Sequence, residues 1–132
     1  MKISRSTSLF LIALVALAIA VLQFFAFKFF FYWTFWWYDV MMHGLGGFLI
    51  GSIAAWAYAF ELKYHVTFNI FFWIVGGTLL IGILWEIFEY VVGFRLYDSL
   101  YQSYASDTLS DIGMDVIGSL IVYLVFRRLT HD

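Results

Sequence analysis

Apolar positions fall into four runs of about 20 residues, near 8–30, 40–60, 68–93 and 108–126, each long enough to cross a bilayer as a helix. The polar breaks between them are short. The pattern predicts an all-α, polytopic membrane protein: a four-transmembrane-helix bundle forming a single integral membrane domain over residues 1–132. In the third break, "FRLYDSLYQSYAS", Leu96, Tyr97, Leu100, Tyr101 and Tyr104 recur at helical spacing. That spacing predicts a short helix lying in the interface between spans 3 and 4. The first run follows a basic start and contains small residues at Ala18 and Ala20, as a signal peptide would. Its apolar stretch continues through Phe27, longer than a signal core, so a retained anchor is expected.

Composition agrees with the pattern. The chain is 64% hydrophobic and 23% aromatic, and its 12% charged share is about half that of a soluble domain. The lack of Cys excludes a disulfide framework and thiolate chemistry. A formal net charge of −2 offers no basic surplus, so nucleic acid is not an expected partner, and membrane lipid is. Lys2, Arg5, Lys63, Arg127 and Arg128 fall on the side of the termini, and only Lys28 and Arg95 on the other. Positive residues collect in the cytoplasm, which predicts a multi-pass cell-membrane protein with both termini cytoplasmic. The stretch "FFAFKFFFYWTFWWY" then forms an aromatic belt at the outer interface.

Polar positions inside the runs carry the candidate chemistry. Of nine acidic residues, Glu61, Asp98 and Asp132 fall outside the spans. Asp39, Glu86, Glu89, Asp107, Asp111 and Asp115 lie within a span or at its lip, where a charge is costly. At a rise of about 1.5 Å per residue, all of these and His43 fall in the outer half of the bundle. Helical phase groups them further. Asp39, His43, Gly47, Gly51, Ala55 and Ala59 share one ridge; Gly82, Glu86 and Glu89 share a second; Asp107, Asp111, Asp115 and Ser119 share a third. Small residues on a ridge let membrane helices approach closely and would also permit a homo-oligomer. Asp107 or Thr108 also suits the N-cap of the last helix, with Asp111 as capping partner. Asp115, two turns in, is beyond reach of a capping role.

Six carboxylates at close range need shared protons, a bound cation or dispersal, since their mutual repulsion is otherwise unscreened. Carboxylates with one imidazole suit a divalent metal. Without sulfur, Mg²⁺, Mn²⁺ or Ca²⁺ is favoured over Zn²⁺ or Fe²⁺. The Glu-x-x-His pairs of di-iron bundles are missing, and Asp-x-x-x-His and Glu-x-x-Glu stand instead. The expected metal ligands are Asp39, His43, Glu86, Asp111 and Asp115.

The ordered motifs "YDVMMHGLGGFLIG", "WEIFEY", Arg95 and "SDTLSDIGMDVIGS" resemble the VanZ-like membrane family and the related YjdF-type inner-membrane proteins, over about residues 39–125. The matching positions are Asp39, His43, Glu86, Arg95, Asp111, Asp115 and Gly118. VanZ-like proteins tend to carry Gln at the position of Glu89 and Asn at that of Asp115; both are acidic here, closer to the YjdF-type pattern. The resemblance implies a role at the cell envelope, since VanZ-like proteins are associated with low-level resistance to a glycopeptide antibiotic.

The leading expectation is a divalent-metal site that binds or acts on an anionic envelope lipid or lipid-phosphate. There Glu89 serves as an outer partner of the metal ligands or as general base, and Arg95 pairs with phosphate oxygens. No nucleophilic serine with a base and no phosphate-cradling glycine loop is present, so the sequence leaves open whether the chain is an enzyme. Two alternatives stand beside it: a non-enzymatic proton- or cation-binding or transport protein, and a structural polar network serving a partner protein.

Overall fold

The computed structural model describes residues 4–62, 69–92 and 103–131. Every described element is helical. Helix α1 covers Arg5–Lys28, α2 is the single turn Phe31–Thr34, α3 covers Tyr38–Ala57, α4 Gly77–Val92 and α5 Tyr104–His131. Wide π-helical turns extend α3 through Tyr58–Leu62 and lead into α4 over Phe72–Gly76. Four helices are long and apolar enough to cross a membrane: Arg5–Lys28, Tyr38–Glu61, Phe72–Val92 and Tyr104–Thr130.

The fourth span differs from expectation at its start. Helix α5 begins four residues before the expected 108, and Ser103 caps it: the Ser103 hydroxyl accepts from the Ser106 amide at 3.3 Å. Asp107 therefore sits in the first turn and is not the cap, and Thr108 is inside the helix. A serine just outside the apolar run serves as cap here, where an aspartate at its edge looked equally apt. Of the stretch 94–106 expected to hold an interfacial helix, residues 94–102 lie outside the described residues; Tyr104, assigned to it by spacing, opens α5.

Helix α3 packs most intimately on α5. A Cβ on Gly47 would run into the Asp115 backbone, and one on Gly118 into the Gly44 carbonyl and the Phe48 amide. Only bare backbone lets the two helices lie this close. The predicted ridge is the contact: His43, Gly47, Gly51 and Ala55 are all buried. Since α5 fills that ridge, a second copy would have to dock elsewhere. On the half nearer the termini, Ile74 and Val75 join Ala55 and Val122 in a small core, and the Trp73 indole donates to the Ala54 carbonyl at 3.0 Å.

Helix α1 is peripheral. Ala26 packs beneath Tyr32, Tyr38 and Met42. The Tyr38 hydroxyl donates to the Leu22 carbonyl at 3.0 Å, and the Tyr32 hydroxyl donates to Gln23 Oε1 at 2.5 Å. Burial raises the Tyr32 phenol well above its usual range, so it remains a donor. The chain leaves α1 through Phe30, whose φ of 58° is left-handed, and reverses into α2. The aromatic stretch thus divides: Trp33, Trp36 and Trp37 face outward as a belt would, while Tyr32 and Tyr38 turn inward and clamp α1. At the other end Arg5 pairs with Glu61.

Candidate metal centre

Asp39 and His43 occupy the first two turns of α3, Glu86 and Glu89 the last two of α4, and Asp111 and Asp115 the third and fourth of α5. Antiparallel neighbours bring those three segments to the same end of the bundle. Asp111 is 2% exposed, Glu86 and Asp115 6% and His43 8%. Asp39 and Glu89 are half-buried at the rim.

His43 is the hub. Its Nδ1 lies 3.3 Å from Asp115 Oδ2 on α5. Its Nε2 lies 3.7 Å from Glu86 Oε1 on α4 and 4.0 Å from Asp39 Oδ1 on its own helix. With the proton on Nδ1 and donated to Asp115, the Nε2 lone pair faces the other two carboxylates. A carboxylate on the far ring nitrogen is how metal-binding histidines are commonly held in orientation. Asp115 is itself seated against bare backbone: a Cβ on Gly82 would lie 2.5 Å from its Oδ2.

Two triads gather around the ring, Asp39–His43–Asp111 and His43–Glu86–Glu89, the potential ligand atoms of each within 4.8 Å of one another. Ligands bound at 2.0–2.5 Å from one ion lie about 3–5 Å apart, so both triads can hold a metal ion. Glu86 Oε2 accepts from the Thr108 hydroxyl at 2.8 Å. Glu86 Oε1 and Asp111 Oδ1 are buried and have no hydrogen-bond partner among the described residues. An unpartnered carboxylate oxygen in a membrane interior is costly, and a cation or a proton relieves it.

The structure thus brings together the five residues expected as ligands, Asp39, His43, Glu86, Asp111 and Asp115, with Glu89, expected beside them, at the rim. Asp115 stands on the opposite side of the imidazole from Asp39 and Glu86. The Glu89 carboxylate accepts from the Trp85 indole at 2.9 Å. Arg95 lies outside the described residues. Lys28 holds its ammonium over the Phe24 and Phe29 rings. Sequence reasoning missed Thr108 as a partner of Glu86. Its position three residues before Asp111, on the same helical face, was the available signal.

Four apolar helices, three of which carry a buried histidine–carboxylate cluster, define a polytopic α-helical membrane protein with a potential cation site. The chain belongs to the family described as predicted membrane protein (DUF2238), whose model matches residues 3–132; the YjdF-type resemblance is to this family. No curated protein and no solved structure matches the chain.

Proposed function

We propose that this protein is a divalent-cation-binding membrane protein that engages an anionic lipid headgroup or lipid-phosphate in the outer leaflet of the cell membrane, with both termini in the cytoplasm. The observation that carries it is the pair of buried carboxylate oxygens, Glu86 Oε1 and Asp111 Oδ1, that have no hydrogen-bond partner among the described residues and lie in the cluster around His43. Asp39, His43, Glu86 and Asp111 would hold the ion, and an oxygen-rich set of this kind suits Mg²⁺, Mn²⁺ or Ca²⁺. Asp115 would fix the imidazole by its contact with Nδ1. A divalent cation supplies polarisation of a phosphoryl oxygen. In this scheme Glu89, half-buried at the rim, would be an outer partner of the ion or a general base, and Arg95, which lies outside the described residues, would supply the charge that pairs with phosphate oxygens. The VanZ-like resemblance favours a substrate of the cell envelope.

The alternative, a proton or cation passage, is less well supported. Below the cluster the buried hydroxyls are Thr78, which donates to the Ile74 carbonyl at 2.8 Å, and Ser119, which donates to the Val116 carbonyl at 2.9 Å. Each is satisfied by its own helix, so among the described residues the polar run stops at mid-bundle.

Elemental analysis of protein purified without chelator or added metal tests the proposal. About one divalent ion per chain is expected, lost in His43→Ala and in Asp111→Asn. Metal-free wild type, with both variants folded as well as wild type, would overturn it.

A further inference from the structure

At the opposite end of the bundle, far from the carboxylates, α1 stands away from α3 and α5 and leaves a cavity of about 530 Å³. That is within the range of ligand pockets. Its walls are mainly apolar, among them Leu11 and Val15 of α1, Phe48 and Ala55 of α3, and Val122 and Phe126 of α5, with the hydroxyls of Ser8, Ser52 and Thr130 interspersed. Two features of the wall are unlike a chance gap between lipid-facing helices. Trp56 lines it, and its indole N–H is buried without a hydrogen-bond partner among the described residues. In addition, the Arg5 guanidinium lies 5.4 Å from the centre of the Trp56 ring while pairing with Glu61, one residue beyond Phe60 of the wall.

Charge at that end is one-sided. Among the described residues it carries Arg5, Arg127 and Arg128 against Glu61, and Arg127 flanks the wall residue Phe126. Water is a poor occupant of an apolar cavity at membrane depth. A hydrocarbon chain is a good one, provided that an acceptor reaches the orphan indole and an anion meets the arginines.

We infer that the cavity between α1, α3 and α5 is a binding site for one acyl chain of an anionic phospholipid from the leaflet on the side of the termini. The chain fills the apolar cavity, an ester carbonyl accepts from the Trp56 indole, and the phosphate lies beside Arg5. The site shares no residue with the candidate metal centre.

Native mass spectrometry of chelator-treated protein released from mild detergent tests this, and the chelator separates it from the fate of the metal proposal. Wild type is expected to retain one phospholipid per chain and to prefer phosphatidylglycerol over phosphatidylcholine by about tenfold, as a single charge-assisted contact would give. Ala59→Trp, which fills the wall near its mouth, abolishes retention. Trp56→Phe keeps an aromatic ring beneath Arg5 but removes the donor, and lowers retention severalfold. Arg5→Gln leaves the lipid bound and erases the headgroup preference. Lipid-free wild type, equal retention of the two lipids, or retention unchanged by Trp56→Phe would each overturn the inference. The last two outcomes decide it even where Ala59→Trp fails to fold.

Discussion

His43 touches carboxylates on all three site-bearing helices or their near neighbours, and its two nitrogens divide the work. Asp115 holds Nδ1, leaving Nε2 toward Asp39 and Glu86. Asp115→Asn is therefore expected to weaken metal binding by about 10–100-fold without abolishing it, as loss of an outer partner does. His43→Ala should abolish it. A titration of each variant with Mn²⁺, followed by electron paramagnetic resonance, separates the two; equal loss would place Asp115 on the ion itself. The Thr108 hydroxyl, bonded to Glu86 at 2.8 Å, gives a milder test. Thr108→Val should cost about 1 kcal/mol of stability, measured by thermal unfolding in detergent, because one carboxylate oxygen loses its donor. That these carboxylates gather around His43 was legible in the sequence, because a carboxylate within an apolar run has few reasons to be there. Their division between the two faces of one imidazole was not. Spacing fixes which side of a helix a residue occupies, but not which nitrogen it meets.

At the scale of elements, the contact between α3 and α5 is set by absent side chains. Gly47 and Gly118 each lie where any Cβ would strike the facing backbone, whereas nothing lies within 4 Å of a Cβ built on Gly77. Gly47→Val should thus lower stability by about 1–3 kcal/mol or more. It should also displace Asp115, so that metal binding falls with it. Gly77→Ala should be neutral or stabilise by up to about 1 kcal/mol. Thermal unfolding of the two variants side by side checks both, and a Gly47 variant as stable as wild type would mean the helices are farther apart than described. The glycine ridge was visible as an i, i+4 pattern and correctly marked an inward face. The start of α5 was not visible, because Ser103, Asp107 and Thr108 all have the chemistry of a cap and only the backbone chooses among them.

For the whole molecule, four spans were legible from length and hydropathy alone, since a bilayer tolerates few alternatives to a helix of that length. An even number of spans returns both termini to one side. With no Cys in the chain, single cysteines at Ser4 and at Trp36 give a clean test: a membrane-impermeant maleimide applied to intact cells should label Trp36→Cys and spare Ser4→Cys. A bound ion should also tighten the bundle, because each triad that could hold it joins α3 to a second helix, α5 in one and α4 in the other. Mn²⁺ at 100 times its dissociation constant should add about 2.7 kcal/mol to unfolding, seen as a rise in Tm that chelator reverses.

The seat of Asp115, made of the Gly47 backbone on one side and Gly82 on the other, belongs entirely to helices that the ribosome completes before it reaches α5. During synthesis the last span therefore arrives with Asp107, Asp111 and Asp115 still to be sheltered. An aspartate at the centre of an inserting helix disfavours entry by about 3 kcal/mol. The earlier spans offer the imidazole and the bare backbone that offset it. In biogenesis α3 and α4 would then serve as the receptor for α5, and a chain whose earlier spans have not yet met should insert its final helix less readily.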